Sequence, residues 1–270
     1  MRFKFVDDMS LLELINLIAI GLTQYDIKSH VPSDISVESL FLSSSKYNSQ
    51  AILNNVAEWT ETKKMKLNEE KTKFMIFNFT NNYQFDTRLF LNGKNIEKVE
   101  HTKLLGTIIS SDLSWRKNTQ FIIQKAYKRI EIIRKLYEFD VPTNDLVNIY
   151  TLYVRSILEF NSCVWHFSIT QEESSDIERV QKNCLKLILK DKYISYDNAL
   201  KHTNLQSLEA RRFILCKRFA IKCTKNERTS NMFPLDTTRH SNKYLVNFAR
   251  NSRLLYSAIP QMQRILNTIK

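Results

Sequence analysis

WRKNTQFIIQKAYKRIEIIRKLY, residues 115–137, decides the fold class because it repeats apolar side chains every three or four positions without glycine or proline. This spacing predicts a long amphipathic helix with one buried face. The predicted apolar face consists of Ile122, Ala126, Ile130, Ile133 and Tyr137. A second face gathers four cations, which we call the cationic stripe: Lys125, Lys128, Arg129 and Lys135.

The composition of the whole chain agrees with a helical protein. Its 270 residues include only 3 glycines and 4 prolines, far below the average usage of about 7% and 5%. Tight turns are therefore few, and 43% hydrophobic residues are enough for a buried core. We predict an α+β fold that is mainly α.

Periodicity outside residues 115–137 places the other elements. Helices are expected at residues 50–64, 146–158, 177–189 and 208–223, and a last helix at 249–266 that Pro260 interrupts. Strands are expected near residues 73–77 and at 104–109. Asn92-Gly93 predicts a hairpin turn, because both residues tolerate positive φ. The polar stretch 224–243 is expected to be flexible.

The net charge predicts a polyanionic partner. Forty Lys and Arg residues against 28 Asp and Glu residues give +12 at pH 7, which favours nucleic acid over a membrane surface or a merely solvated cationic protein. The apolar stretch 11–22 carries Glu13 and Asn16 and is shorter than the roughly 20 residues of a membrane span. We expect no membrane association and an intracellular location.

The cysteines predict buried thiols rather than a metal site. Cys163, Cys184, Cys216 and Cys223 form no Cys-x-x-Cys pair and lie in apolar segments. Cys163 and His166 have a ligand-like spacing, but no second pair completes the four donors that zinc requires. No zinc site is expected.

Phe5-Val6-Asp7-Asp8 places two adjacent carboxylates between two short β-prone runs, as at a hairpin turn. Hard oxygen ligands at such a turn suit Mg²⁺. A solvated acidic turn is the alternative interpretation of the same residues.

The order of several motifs resembles non-LTR (LINE-type) retrotransposon reverse transcriptases, in their C-terminal part. The acidic hairpin is followed by a helix with Trp59, an Asn-x-x-Lys-Thr turn at 68–72, the Asn92-Gly93 hairpin, Leu104-Leu105-Gly106 and a basic helix that begins Leu-x-Trp at 113–115. Residues 155–159, 164–165, 178–182 and 259–264 also look like segments of that family. The resemblance covers nearly the whole chain.

The resemblance implies roles for particular residues. Asp7 and Asp8 match the metal-binding catalytic pair of the polymerase palm, where carboxylates hold Mg²⁺ for two-metal nucleotidyl transfer. Phe5 matches the aromatic residue that backs the primer end, and Lys71 a catalytic lysine near the leaving pyrophosphate. Leu105 and Gly106 match the strand that grips the primer. The cationic stripe would then lie on the thumb and contact RNA template, RNA–DNA hybrid or single-stranded nucleic acid.

The resemblance also implies a division of the chain and a gap in its chemistry. Residues 1–110 would form part of the palm, 111–160 thumb-like helices and 161–270 a helical C-terminal extension. The palm uses a further Asp from an upstream strand, and only six residues precede Asp7, so we expect a polymerase fragment that is inactive alone. A non-catalytic basic RNA- or DNA-binding module and a decayed product without a selected role are the alternatives.

Overall fold

The computed structural model describes residues 49–65, 67–77, 88–236 and 242–269. It divides into two compact units: the first reaches Gly106 and adds Ser110–Leu113, and the second comprises Thr107–Ile109 and the chain from Ser114 onward. Helix makes up 61% of the structure and strand 9%, which confirms a mainly α fold with a small β part. No described helix is both long and apolar enough to cross a membrane.

The first unit packs one helix against short strands. Helix α1 spans Ser49–Thr62, and the strands are β1 Lys73–Phe74, β2 Phe90–Leu91, β3 Lys94–Asn95, β4 Glu97–Lys98 and β5 His101–Leu104. The side-chain amide of Gln50 joins α1 to β2, because its Nε2 donates to Phe90 O at 2.7 Å and its Oε1 accepts from Phe90 N at 2.8 Å. Leu89, Leu91 and Ile96 form the buried centre of this unit.

The Asn92-Gly93 turn is confirmed. Both residues have positive φ, 51° and 77°, and the flanking strands β2 and β3 pair antiparallel with Phe90 opposite Asn95.

The prediction of a single strand at residues 104–109 is wrong. The chain forms β5 His101–Leu104 and then β6 Thr107–Ser110, with Leu105 and Gly106 between them at φ 46° and 88°. Two successive positive φ values reverse the chain, which glycine permits at little cost. Leu105 and Gly106 therefore form a turn and not the middle of a strand.

The second unit is helical. Its elements are α2 Arg116–Glu138, α3 Thr143–Ile149, a π-helix Tyr150–Arg155, α4 Ser156–Glu159, α5 Ser162–Trp165, α6 Gln171–Leu189, a 3₁₀ turn Lys190–Lys192, α7 Tyr196–Thr203, α8 Leu208–Thr224, α9 Glu227–Ser230, α10 Ser252–Leu255 and α11 Ala258–Ile269. The polar stretch 224–243 thus contains α9, and Leu235 forms a β-bridge with Tyr244.

The main core lies between α2, the helix that runs from α3 to α4, and α6. The predicted face of α2 is confirmed: Ile122, Ala126, Ile130 and Ile133 are buried, and Tyr137 is partly buried against the same core. This core joins residues from the expected thumb segment to Ile177, Val180, Cys184 and Ile188 of the expected extension. A smaller cluster forms between α8 and α11.

A π-helix interrupts the continuous α-helix that the sequence predicts at 146–158. Apolar residues recur here every four positions, at Leu146, Tyr150, Val154 and Leu158, and all four are fully buried. In an α-helix of 3.6 residues per turn this repeat would drift around the axis by about 40° at each step. The wider π turn reverses the drift, so that one face of the helix keeps all four side chains in the core.

Two helix starts differ from prediction for local reasons. Helix α6 begins at Gln171 because Thr170 and Glu173 form a capping box, in which Glu173 N donates to Thr170 Oγ1 at 3.1 Å and Thr170 N to Glu173 Oε2 at 2.7 Å. Helix α11 begins at Ala258, so Pro260 lies in its first turn and does not interrupt it. A first-turn residue has no intrahelical acceptor for its N–H, so proline is tolerated there.

Candidate nucleic-acid interface

The cationic stripe lies on the solvent side of α2. Lys125, Lys128, Arg129 and Lys135 are all exposed, while the opposite side of the helix is packed into the main core. Within the described part of the chain, no carboxylate forms an ion pair with any of the four. Their positive charge is therefore available to a ligand.

The acidic residues of α2 do not neutralise the stripe. The helix contains only Glu131 and Glu138 against seven Lys and Arg residues. Glu131 is already paired with Arg134, at 3.2 Å between Oε2 and Nη1. Ile132, which is 41% exposed, lies among the cations and adds an apolar contact surface to them.

The start of α2 is held by a buried side chain rather than by a cap. Trp115 makes no capping hydrogen bond, but Asn118, which is buried one turn into the helix, accepts a hydrogen bond from Ile108 N at 3.1 Å. Thr107 is held in turn by Asn161, whose Nδ2 donates to its Oγ1 at 2.8 Å. These bonds hold the start of α2, the helix that carries the cationic stripe, against the segment that precedes it.

Other arginines of the helical unit are used internally. Glu159 accepts two hydrogen bonds from Arg211, at 2.5 Å to Nε and 3.1 Å to Nη2, and lies 3.7 Å from Arg155 Nε. Burial, followed by the neighbouring Arg211, lowers the pKa of Arg155. The charged groups of this cluster pair with one another and join α4 to α8. The cluster is therefore not a ligand site.

A largely buried hydrogen-bond network joins the π-helix, α6, α7 and α8. Tyr150 Oη donates to Gln181 Oε1 at 2.6 Å, and Gln181 Nε2 donates to Tyr196 Oη at 2.7 Å. Tyr196 donates to Glu178, whose carboxylate also accepts from the backbone N–H of Leu208 at 3.0 Å. Burial raises the pKa of both tyrosines well above the ordinary value. The side chains of this network hydrogen-bond to one another, and we assign the network a structural role.

Arg212 is a buried cation that sequence reasoning missed. Its guanidinium lies 5.8 Å from the centre of the Trp165 ring and donates from Nη2 to Ser174 Oγ at 2.9 Å. His166 Nδ1 accepts from Arg212 Nε at 3.4 Å. Burial, together with Arg212, lowers the pKa of His166 to about 4, so this imidazole is neutral at pH 7. Ser174 and His166 lie 38 and 46 residues from Arg212 in sequence. No local sequence pattern therefore indicates this cluster.

Lys71 lies in a turn that its neighbour Asn68 builds. The side-chain Oδ1 of Asn68 accepts from the backbone N–H groups of Glu70 and Lys71, both at 3.0 Å. Lys71 is exposed, and in the described ranges its ammonium has no ion-pair partner. Leu105 is 68% exposed at the tip of its turn, with Gly106 beside it.

Three predicted site residues, Phe5, Asp7 and Asp8, lie outside the described residues. Cys184, Cys216 and Cys223 are buried, as expected of structural thiols, and Cys163 is partly buried. Across the residues from 49 onward that the structure describes, no three His, Cys, Asp or Glu side chains are arranged to hold a metal ion.

Comparisons of the chain with protein-family models, with curated proteins and with solved structures found no match.

Proposed function

We propose that this chain binds RNA–DNA hybrid through the cationic stripe of α2, as the C-terminal part of an RNA-directed DNA polymerase of the non-LTR retrotransposon type. The observation that carries the proposal is the exposure of Lys125, Lys128, Arg129 and Lys135, without ion-pair partners in the described chain, on a helix whose other face is buried. The motif order supports the polymerase part of the proposal.

The dimensions of α2 suit a nucleic-acid backbone. At 23 residues the helix is about 35 Å long, and the stripe covers about 15 Å of it. A duplex presents roughly one negative charge per 1.7 Å of its axis, so several phosphates lie within reach of the stripe. Lysine ammonium groups act as point charges toward phosphates, and contacts with phosphates carry no sequence information. Binding should therefore be independent of sequence.

The catalytic part of the proposal concerns residues at the front of the chain. Asp7 and Asp8 would hold Mg²⁺, which stabilises the developing charge on a transferring phosphoryl group when it is bound. Phe5 would pack behind the primer end, and Leu105 and Gly106 would contact the primer from their turn. Lys71, exposed beside the Asn68 turn, would approach the triphosphate. This assignment rests on the motif order.

Lysine acetylation in the presence and absence of an RNA–DNA hybrid tests the proposed interface. Bound hybrid should slow the modification of Lys125, Lys128 and Lys135 by an acylating reagent, measured by mass spectrometry of tryptic peptides. Lys201 on α7 and Lys225 in the turn after α8, which are both exposed, should react at the same rate with or without hybrid. Equal protection of all five lysines, or of none, would contradict the assignment of the interface to α2.

A further inference from the structure

We propose that Cys163 is a site of modification by hydrogen peroxide, and that Cys216 then converts the oxidised sulfur into a disulfide that joins α5 to α8. This proposal concerns the helical unit alone and does not depend on nucleic-acid binding. It gives two of the four thiols a chemical role besides packing.

The two cysteines lie where α5 packs against α8. Cys216 is fully buried, and its Sγ donates to the carbonyl oxygen of Ser162 at 3.8 Å. Ser162 directly precedes Cys163, so this bond places the Cys216 thiol beside the backbone of Cys163. The two thiols are also in hydrogen-bonding contact with each other. Backbone movement is needed only for cysteines whose Cα atoms are more than about 7 Å apart, so thiols in contact favour a bridge.

Cys163 is the member of the pair that solvent reaches. All four cysteines of the chain lie in its described part, and Cys163 is partly exposed while the other three are buried. The hydrogen bond from Cys216 lowers the pKa of Cys163, so the thiolate is populated at a lower pH than for an ordinary cysteine. The thiolate is the form that attacks peroxide, and accessible thiols of lowered pKa beside a second cysteine are the ones that sense oxidants. Cys163 is therefore the first expected site of oxidation.

The other two cysteines are placed differently. Cys184 belongs to the main core, where burial raises its pKa to about 12. Cys223 lies two turns beyond Cys216 on α8, about 10 Å along the axis, and its side chain hydrogen-bonds to Thr229. Cys163 also packs against the cluster that contains Cys223. A link from Cys163 to Cys223 is therefore the alternative that a test has to distinguish.

The first chemical step is oxidation of Cys163 to a sulfenic acid. The Cys163 thiolate attacks one oxygen of hydrogen peroxide, so that an S–O bond forms as the O–O bond breaks. Hydroxide leaves with the electron pair of the broken bond and takes up the proton that the thiol released, which makes one water. The sulfur is oxidised and the peroxide is reduced.

The second step uses Cys216 as the resolving thiol. Its sulfur attacks the sulfur of the sulfenic acid, the S–S bond forms as the S–O bond breaks, and the hydroxyl leaves with the Cys216 proton as a second water. Before oxidation, the hydrogen bond to Cys163 is the largest cause that raises the pKa of Cys216, followed by burial. Oxidation of Cys163 removes the thiolate that accepts this bond, so Cys216 becomes easier to ionise when its attack is required.

The test exposes the folded, reduced, full-length chain to hydrogen peroxide, blocks the remaining thiols with N-ethylmaleimide in urea, and identifies tryptic peptides by mass spectrometry without reduction. Peptides 156–179 and 213–217 should appear as one species, lighter by two hydrogen atoms than their sum, and dithiothreitol should separate them. Trypsin leaves the four cysteines on separate peptides, 156–179, 183–186, 213–217 and 223–225.

Two variants separate the steps. Cys216→Ser keeps a hydrogen-bond donor beside Cys163 but removes the resolving sulfur, so the disulfide should be lost and dimedone, which reacts with sulfenic acids, should label peptide 156–179. The matched control Cys184→Ser should form the disulfide as the parent does. The bond closes a loop of about 50 residues, so the oxidised parent should melt several degrees above the reduced parent.

Parent protein in which peptide 156–179 stays unlinked after peroxide treatment would overturn the proposal. Linkage of 156–179 to 223–225 would overturn the role of Cys216. Oxidation of Cys184 as fast as that of Cys163 would contradict the proposal too, because the thiols would then react through unfolding. An oxidised parent that melts below the reduced one would contradict a bond made in the native packing of α5 on α8. The parent results need no variant to fold, so they decide the proposal even where Cys216→Ser is unstable.

Discussion

Arg211 and Glu159, 52 residues apart in the chain, meet through two hydrogen bonds, Nε to Oε1 at 2.5 Å and Nη2 to Oε2 at 3.1 Å. Arg155 approaches the same carboxylate at 3.7 Å. One partly buried carboxylate thus balances two guanidinium groups where α4 meets α8. This is the opposite of the stripe on α2, whose cations have no such balance in the described chain.

Removing the negative charge of this cluster should destabilise the fold. Glu159→Gln leaves Arg155 and Arg211 facing one neutral group, and we expect a loss of roughly 2 kcal/mol in the free energy of unfolding, less than for a wholly buried pair because Arg211 is partly in water. Urea denaturation measures it. The matched change Glu131→Gln, in an exposed pair with Arg134, should cost less than about 0.5 kcal/mol. Equal losses would contradict the structural role of Glu159.

The hydroxyl of Tyr150 should contribute to stability through Gln181. Tyr150→Phe removes the 2.6 Å hydrogen bond and leaves the buried Oε1 of Gln181 without this donor, which should cost about 1–2 kcal/mol. Tyr153→Phe is the control, since Tyr153 lies in the same π-helix but is 55% exposed. It should unfold at the same urea concentration as the parent. A Tyr150→Phe protein as stable as the control would show that the network contributes little.

His166 should make the stability depend on pH. Its pKa in the folded protein is lowered to about 4, below the ordinary value of about 6.5, so the unfolded chain binds a proton more readily than the folded one. Stability from this group is complete above about pH 6.5 and is lost as the pH falls toward 4.

Substitution of His166 isolates that contribution. Between neutral pH and about pH 5 the parent should lose about 2 kcal/mol more than a His166→Gln variant does. Urea denaturation at both pH values of the two proteins gives the difference. The same pH dependence in both proteins would show that the imidazole is not held neutral by burial and Arg212.

Local patterns predicted the elements whose causes are local. The three- and four-residue spacing in 115–137 identified both faces of α2, and Asn92-Gly93 identified its turn from backbone tolerance alone. The prediction of one strand at Leu104–Ile109 was wrong, because this apolar run with β-branched residues gives no sign of the turn at Leu105-Gly106. The π-helix was visible only as a four-residue repeat, which fits an α-helix over a short window.

Contacts between distant parts of the chain could not be predicted in the same way. Glu159 with Arg211 and Ser174 with Arg212 are joined by the packing of α8 and have no fixed spacing in sequence. The contact of Asn183 with Tyr127, which joins α6 to α2, likewise links residues 56 positions apart in the chain.

The salt dependence of hybrid binding tests the central claim most directly. The variant carries Lys125→Ala, Lys128→Ala, Arg129→Ala and Lys135→Ala, and the charge-matched control carries Lys201→Ala, Lys222→Ala, Lys225→Ala and Arg228→Ala, which are exposed on α7, α8, the turn after α8, and α9. Both lose four positive charges, so net charge alone cannot distinguish them. We predict that the slope of log affinity against log salt falls by about 3–4 in the stripe variant and by less than about 1 in the control. Equal slopes in the two variants would contradict the account, because binding would then follow net charge and not the stripe of α2.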